Sequence, residues 1–142
     1  MLLFERLLAL GGIFVFAIGT TDNAYANSYA PTILTQPSIS NLNGDKITTA
    51  EAGKQVIIGT TATNNPFEET SCVIIIQVRN SDGATVFLAF QTLTLAPRNN
   101  STLGASWLIE EQSLYEVKVF ALSQLQNPVP LSIVMSTSLQ SL

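Results

Sequence analysis

The chain has 142 residues, 46% of them apolar and only 11% charged, with a formal net charge of −4 and no histidine. That is one domain's length with ample material for a core, which excludes a disordered chain. The acidic balance offers no basic patch to track phosphates, so no nucleic-acid partner is expected; the missing histidine removes the commonest general base and metal ligand, so no cofactor, metal site or Ser-His-Asp chemistry is expected either.

The first 26 residues read as a secretory signal peptide. "MLLFER" is a short n-region in which Glu5 sits beside Arg6, and "LLALGGIFVFAIGTT" is an apolar h-region. Ala24 and Ala26 flank Tyr25 at the two positions a signal peptidase reads, so cleavage is expected after Ala26. The run from Leu7 to Ile18 is well short of the roughly 20 apolar residues that span a bilayer. The mature product is therefore expected to be secreted or to lie on the extracellular face of the cell envelope. Residues 27–35 read as a loose leader and residues 36–139 as the folded domain.

Within the domain, Pro37 favours an edge or a kink for a first short strand. "NLNGD" (41–45) turns, "KITTA" (46–50) is a short strand, and "EAG" (51–53) turns again. "KQVIIGTTAT" (54–63) is a strand with Val56, Ile58, Thr60 and Ala62 on one face. Pro66 breaks the loop 64–69.

Residues 72–90, "CVIIIQVRNSDGATVFLAF", could be mistaken for a membrane span. Arg79 and Asp82 would each cost roughly 2.5–3.5 kcal/mol at a helix centre, which cancels the apolar gain. Asn80-Ser81-Asp82-Gly83 instead suits a type I turn, with Gly83 in the positive-φ position of a following bulge. Cys72, Ile74, Ile76 and Val78 fall on one face of the incoming strand, and Val73, Ile75, Gln77 and Arg79 on the other. On the outgoing strand Val86, Leu88 and Phe90 alternate with Thr85, Phe87, Ala89 and Gln91. Cys72, the sole cysteine, can form no internal disulfide and reads as a buried, inert thiol.

After an "APRNN" connection (96–100), "STLGASW" is a strand ending at Trp107, which is expected to plug one end of the core. "IEEQS" (109–113) is a corner and "LYEVKVFAL" (114–122) a strand with Tyr115, Val117, Val119 and Ala121 on one face. Tyr115 stands where sandwich domains place a tyrosine that bonds back to the corner backbone. "QLQNPVP" (124–130) turns, and residues 131–139 form the last strand. Seven to eight short strands without helical periodicity indicate an all-β Greek-key sandwich.

The segments "DKITTAEAGKQVIIGTTATNN", "VIIIQVRNSDGATVFLAFQTLTLAPRNNSTLGASW" and "EEQSLYEVKVFALSQLQNPVPLS" resemble the Ig-like or fibronectin-III-like domains of archaeal secreted and cell-surface proteins. The resemblance covers nearly all of residues 36–137. It implies the fold and secretion and carries no activity. One departure is "EEQSLY", where the pattern has a glycine before the tyrosine; this bears on the corner geometry.

Several candidate sites remain. Asn99 and Asn100 open two overlapping N-x-[ST] glycosylation acceptors in a loop. Glu68-Glu69 and Glu110-Glu111 are paired acids, but neighbours in extended chain point to opposite sides and do not converge. Asp82-Gly83 and Asn43-Gly44-Asp45 lack the ligand density of a calcium loop. No nucleophile, base and orienting group can be assembled, so an enzyme is not expected. Val73, Ile75 and Phe87, with Phe120 and Leu122, would form an apolar outer face for docking to an envelope or surface protein. That predicts a secreted, non-enzymatic interaction module, and a domain that tolerates Ser at both Ile75 and Phe87. The alternative is a small secreted inhibitor or ligand-binding protein that uses the sandwich loops.

Overall fold

The computed structural model describes residues 30–142. The signal segment, Ala24 and Ala26 included, lies outside the described residues. Among the described residues there are nine strands and no helix, hence none long and apolar enough to cross a membrane.

Period-two burial builds both sheets. In β4 (Gln55–Asn64) every second residue from Val56 to Asn64 is buried. One edge of β4 pairs with β1 (Thr32–Leu34) and then β2 (Ser38–Ser40), and the other pairs along nine positions with β7 (Asn100–Leu108). The second sheet runs in the order β3 (Thr49–Ala50), β9 (Met135–Ser141), β8 (Leu114–Leu122), β5 (Thr70–Arg79), β6 (Thr85–Leu95). All its pairs are antiparallel except β3 with β9. Val56 and Ile58 of one sheet and Ile74, Val78, Val117, Val119 and Leu139 of the other, each at most 1% exposed, share one core. This is a two-sheet β-sandwich, as the strand pattern predicts.

The strand count exceeds the expected seven to eight because one more short strand, β1, forms ahead of Pro37. Pro37 has no amide to donate and separates β1 from β2, and the Asn41–Asp45 turn separates β2 from β3. That turn is held by Asn41 Oδ1, which accepts from the amides of Asn43 (2.9 Å) and Asp45 (3.0 Å). The expected loose leader at 27–35 is corrected in part: Thr32–Leu34 is β1, with Thr32 and Leu34 buried. The last strand also begins later than 131 and continues to Ser141.

The β5–β6 hairpin has the expected turn. Gly83 has φ +81°, its amide donates to Asn80 O (3.0 Å), and the Asn80 amide donates to Ala84 O (2.9 Å). The register then slips: Arg79 pairs with Thr85 but Val78 with Phe87, so Val86 is an extra, bulged residue.

Candidate functional site

The predicted docking face is closed. Val73, Ile75, Phe120 and Leu122 are between 3% and 5% exposed and form a second apolar cluster on the outer side of the five-stranded sheet. Leu88, Leu125 and Val134 pack against it. The cover is the β8–β9 connection folded back over the sheet. Ser132, buried, accepts the Ala121 amide at its Oγ (2.8 Å) and donates to Ile133 O (2.9 Å). The Leu131 amide donates to Ala121 O (2.9 Å). The four residues therefore serve packing, which corrects the expectation that they meet a partner.

Phe87 does not belong to that face at all. The bulge at Val86 sets Phe87 opposite Val78, so both point into the core, where Phe87 packs 6.4 Å from Trp107. Leu88 and Phe90, opposite Gln77 and Ile75, take the outer side. A single inserted residue exchanges the two faces of a strand.

Trp107 and Tyr115 close one end of the core. Both are nearly buried, 4.8 Å apart, edge to face. The Tyr115 hydroxyl donates to Glu111 O (2.5 Å), so the corner bond forms without the glycine of the resembling domains. Burial pushes the Tyr115 pKa up; the bond to Glu111 O opposes this, and the carboxylates of Glu111 and Glu110 add to the rise. Above these rings lies a cleft of about 420 Å³, lined also by Asn80, Val86 and Leu108, with Glu110 and Glu111 exposed at its rim. Sequence reasoning missed the cleft, because it treated the paired acids and the aromatics separately.

Cys72 is buried in the main core. Burial raises its thiol pKa, while the Thr32 hydroxyl acts in the opposite direction. That hydroxyl makes no hydrogen bond of good geometry. Asn99 and Asn100 are exposed in the β6–β7 connection and at the start of β7. In the two turns with calcium-like residues, Asn41 and Asn80 each direct a side-chain oxygen at their own turn amides. Among the described residues no three His, Cys, Asp or Glu side chains converge to hold a metal ion.

The two sides of the sandwich differ sharply. On one, β1 and β2 have three residues each and flank Pro37, while β3 has two residues and covers only the end of β9. On the other, β6 (11 residues) pairs only with β5 and β7 (9 residues) only with β4 among the described residues. From Gly83 to Ile109 the one charged residue is Arg98. Its guanidinium is turned away to Asn65 O (2.7 Å) and over the Phe67 ring (4.6 Å). Between β6 and β7 runs a groove of about 100 Å³ with Ile74, Ile76 and Leu103 in its lining.

No protein-family profile and no curated protein matches the chain. Solved structures do match its fold. The C-terminal domain of wzt superposes with a TM-score of 0.68 at 10% identity, over 80% of this chain and 74% of that one. The CARDB domain of the PF1109 protein from Pyrococcus furiosus, solved in complex with di-metal ions, gives 0.57 at 13% identity, over 80% and 96%. A β-glucosidase from Listeria innocua gives 0.57 at 15% identity over 80% of this chain, which spans only 16% of that enzyme. At these identities the likeness is one of fold: Ig-like β-sandwich domains.

Proposed function

We propose that this chain is a non-enzymatic module, secreted or held at the outer face of the cell envelope, that binds a protein partner by strand addition along the β6–β7 flank. The observation that carries the reading is the pair of long, uncharged strands that lie, among the described residues, at the sheet edges on one side. An edge strand presents a row of main-chain donors and acceptors to any extended segment, and proteins that do not use such an edge blunt it with Pro, Lys or brevity. Here the opposite side is blunted by Pro37 and by strands of two and three residues, whereas β6 and β7 contain neither Pro nor a charge. The signal-like first 26 residues and the exposed acceptors Asn99 and Asn100 support an extracellular setting.

The test is a photo-reactive residue in place of Thr92, exposed on β6, with one in place of Thr49 on β3 as the comparison. Irradiation of source cells is expected to join the Thr92 derivative, and not the Thr49 derivative, to a discrete envelope protein. Equal labelling at both positions, or none at Thr92, would refute strand addition.

A ligand-binding reading is favoured by the acid-rimmed cleft, whose volume lies in the range of small-molecule sites. Its rim carboxylates would select a basic group. Trp107 is the only tryptophan, so its fluorescence reports on the cleft. Saturable quenching by N-acetyl-arginine amide, lost in Glu110→Gln/Glu111→Gln, would favour this reading, and a flat titration would remove it.

A further inference from the structure

We propose that residues 30–34 form a releasable strap: β1 lifts off the edge of β4 while the rest of the sandwich stays folded, and its opening bares the core around Cys72. The device goes beyond the strand-addition reading, which concerns the opposite flank.

The strap is lightly fastened. β1 pairs with β4 at three positions, Thr32 with Asn64, Ile33 with Thr63 and Leu34 with Ala62. Beyond that ladder the Thr32 amide donates to Leu131 O (2.9 Å), and Asn65 donates to Pro31 O from its amide (2.9 Å) and to Ala30 O from Nδ2 (3.4 Å). Leu34 is the one large side chain that the strap buries; Ala30 is small, and Ile33 is 38% exposed. The strap residues regain backbone freedom on opening, which offsets much of that burial.

The seam also buries polar atoms without partners. Thr32 and Asn64 face each other across it, at 1% and 0% exposure, and Thr32 Oγ1 and Asn64 Oδ1 make no hydrogen bond. Of the three such buried side-chain oxygens among the described residues, two lie on this one pair. Each costs stability in the closed state and regains water when the seam opens. The next residue is a fixed post. Thr35 donates its amide to Thr61 O (3.0 Å), accepts the Thr61 amide at Oγ1 (2.9 Å) and accepts the Thr60 hydroxyl at its carbonyl (2.9 Å). The strap therefore hinges between Leu34 and Thr35, and β4 keeps its pairing with β7 along nine positions.

Cys72 reports the opening. It is 1% exposed, shares the core with Leu34, and has the Thr32 hydroxyl beside its thiol. As the only cysteine it gives a single labelling signal.

The experiment is labelling of the full chain with excess dithiobis-nitrobenzoate at urea concentrations well below the unfolding midpoint. Cys72 is expected to react at least about tenfold faster than global unfolding permits, at a rate nearly independent of urea, because so short an opening exposes little surface. Thr32→Val keeps the shape and removes one unpaired oxygen, and should slow the reaction about fivefold. Tyr115→Phe, at the far end of β8, should lower the urea midpoint and leave the low-urea rate within about twofold. By hydrogen exchange, the amides of Thr32 and Asn65 should open about tenfold more often than the β4 amides that bond to β7. A labelling rate that climbs with urea in step with global unfolding, or a thiol inert in the folded chain, overturns the proposal. So does a Thr32→Val variant that labels as fast as the parent, a Tyr115→Phe variant that labels faster in proportion to its lost stability, or equal protection at Thr32, Asn65 and the β4–β7 ladder.

Discussion

Ile75→Ala separates a covered outer face from a docking face. Ile75 is 3% exposed, between Val73, Phe120 and Leu122 and under the returning β8–β9 connection. Truncation removes about three methylene equivalents at ~0.8 kcal/mol each, roughly 2.4 kcal/mol of transfer energy. The cavity left beneath Leu125 and Val134 raises the expected loss to about 3 kcal/mol. For a domain of this size that lowers Tm by on the order of 10–15 °C. Urea and thermal unfolding measure it directly, with Thr92→Ala as the control: Thr92 lies opposite Val73 on the same side of the sheet but is exposed, and should change stability by less than about 0.5 kcal/mol. The same reasoning makes Ile75→Ser/Phe87→Ser badly destabilised, because one serine would enter the outer cluster and the other the wall beside Trp107. An Ile75→Ala variant within about 0.5 kcal/mol of the parent would refute the account, since it would mean that the connection does not cover the face.

Other outcomes follow from single groups. Asn64, fully buried, donates from Nδ2 to the carbonyls of Glu68 (2.8 Å), Leu95 (3.1 Å) and Ala96 (3.1 Å); Asn64→Ala strands these acceptors and should cost about 2–3 kcal/mol by urea unfolding, with faster hydrogen exchange across 64–70. Tyr115→Phe removes the bond to Glu111 O and should cost about 1 kcal/mol. The pKa values of Tyr115 and Cys72 are both raised in the folded state, so the stability they contribute is complete below their unfolded values of 10.0 and 9.0. It is lost as pH rises through the folded values. Unfolding midpoints should therefore fall at alkaline pH, and less steeply in Tyr115→Phe. Gly83→Ala, at φ +81°, should lose about 1 kcal/mol by the same unfolding assay without altering the β5–β6 pairing.

The sequence alone determined the elements whose signals are local. Period-two alternation identifies the buried faces of β4 and β8, and Asn80–Gly83 identifies the hairpin turn, because side-chain alternation and positive-φ chemistry act within a few residues. The core positions of Trp107 and Tyr115 and the burial of Cys72 were legible for the same reason. What covers Val73 and Ile75 was not. An apolar outer face has the same pattern whether a partner or the chain's own connection packs on it, and here Leu125 and Val134 arrive from more than forty residues away. Nor could alternation place Phe87, because one bulged residue at Val86 decides which side of the sheet the rest of β6 presents. The strand at Thr32–Leu34 depends on an edge supplied by residues 62–64, and the acid-rimmed cleft on bringing Asn80 of the hairpin to Glu110 and Glu111 of the corner. Among the described residues, the position of β6 and β7 at the sheet edges is likewise a property of sheet order. The lack of charge in β6 and β7 is written in the sequence, but that both are edges on one side follows only from tertiary pairing, since hydrogen-bond partners across a sandwich are set by which strands meet in space.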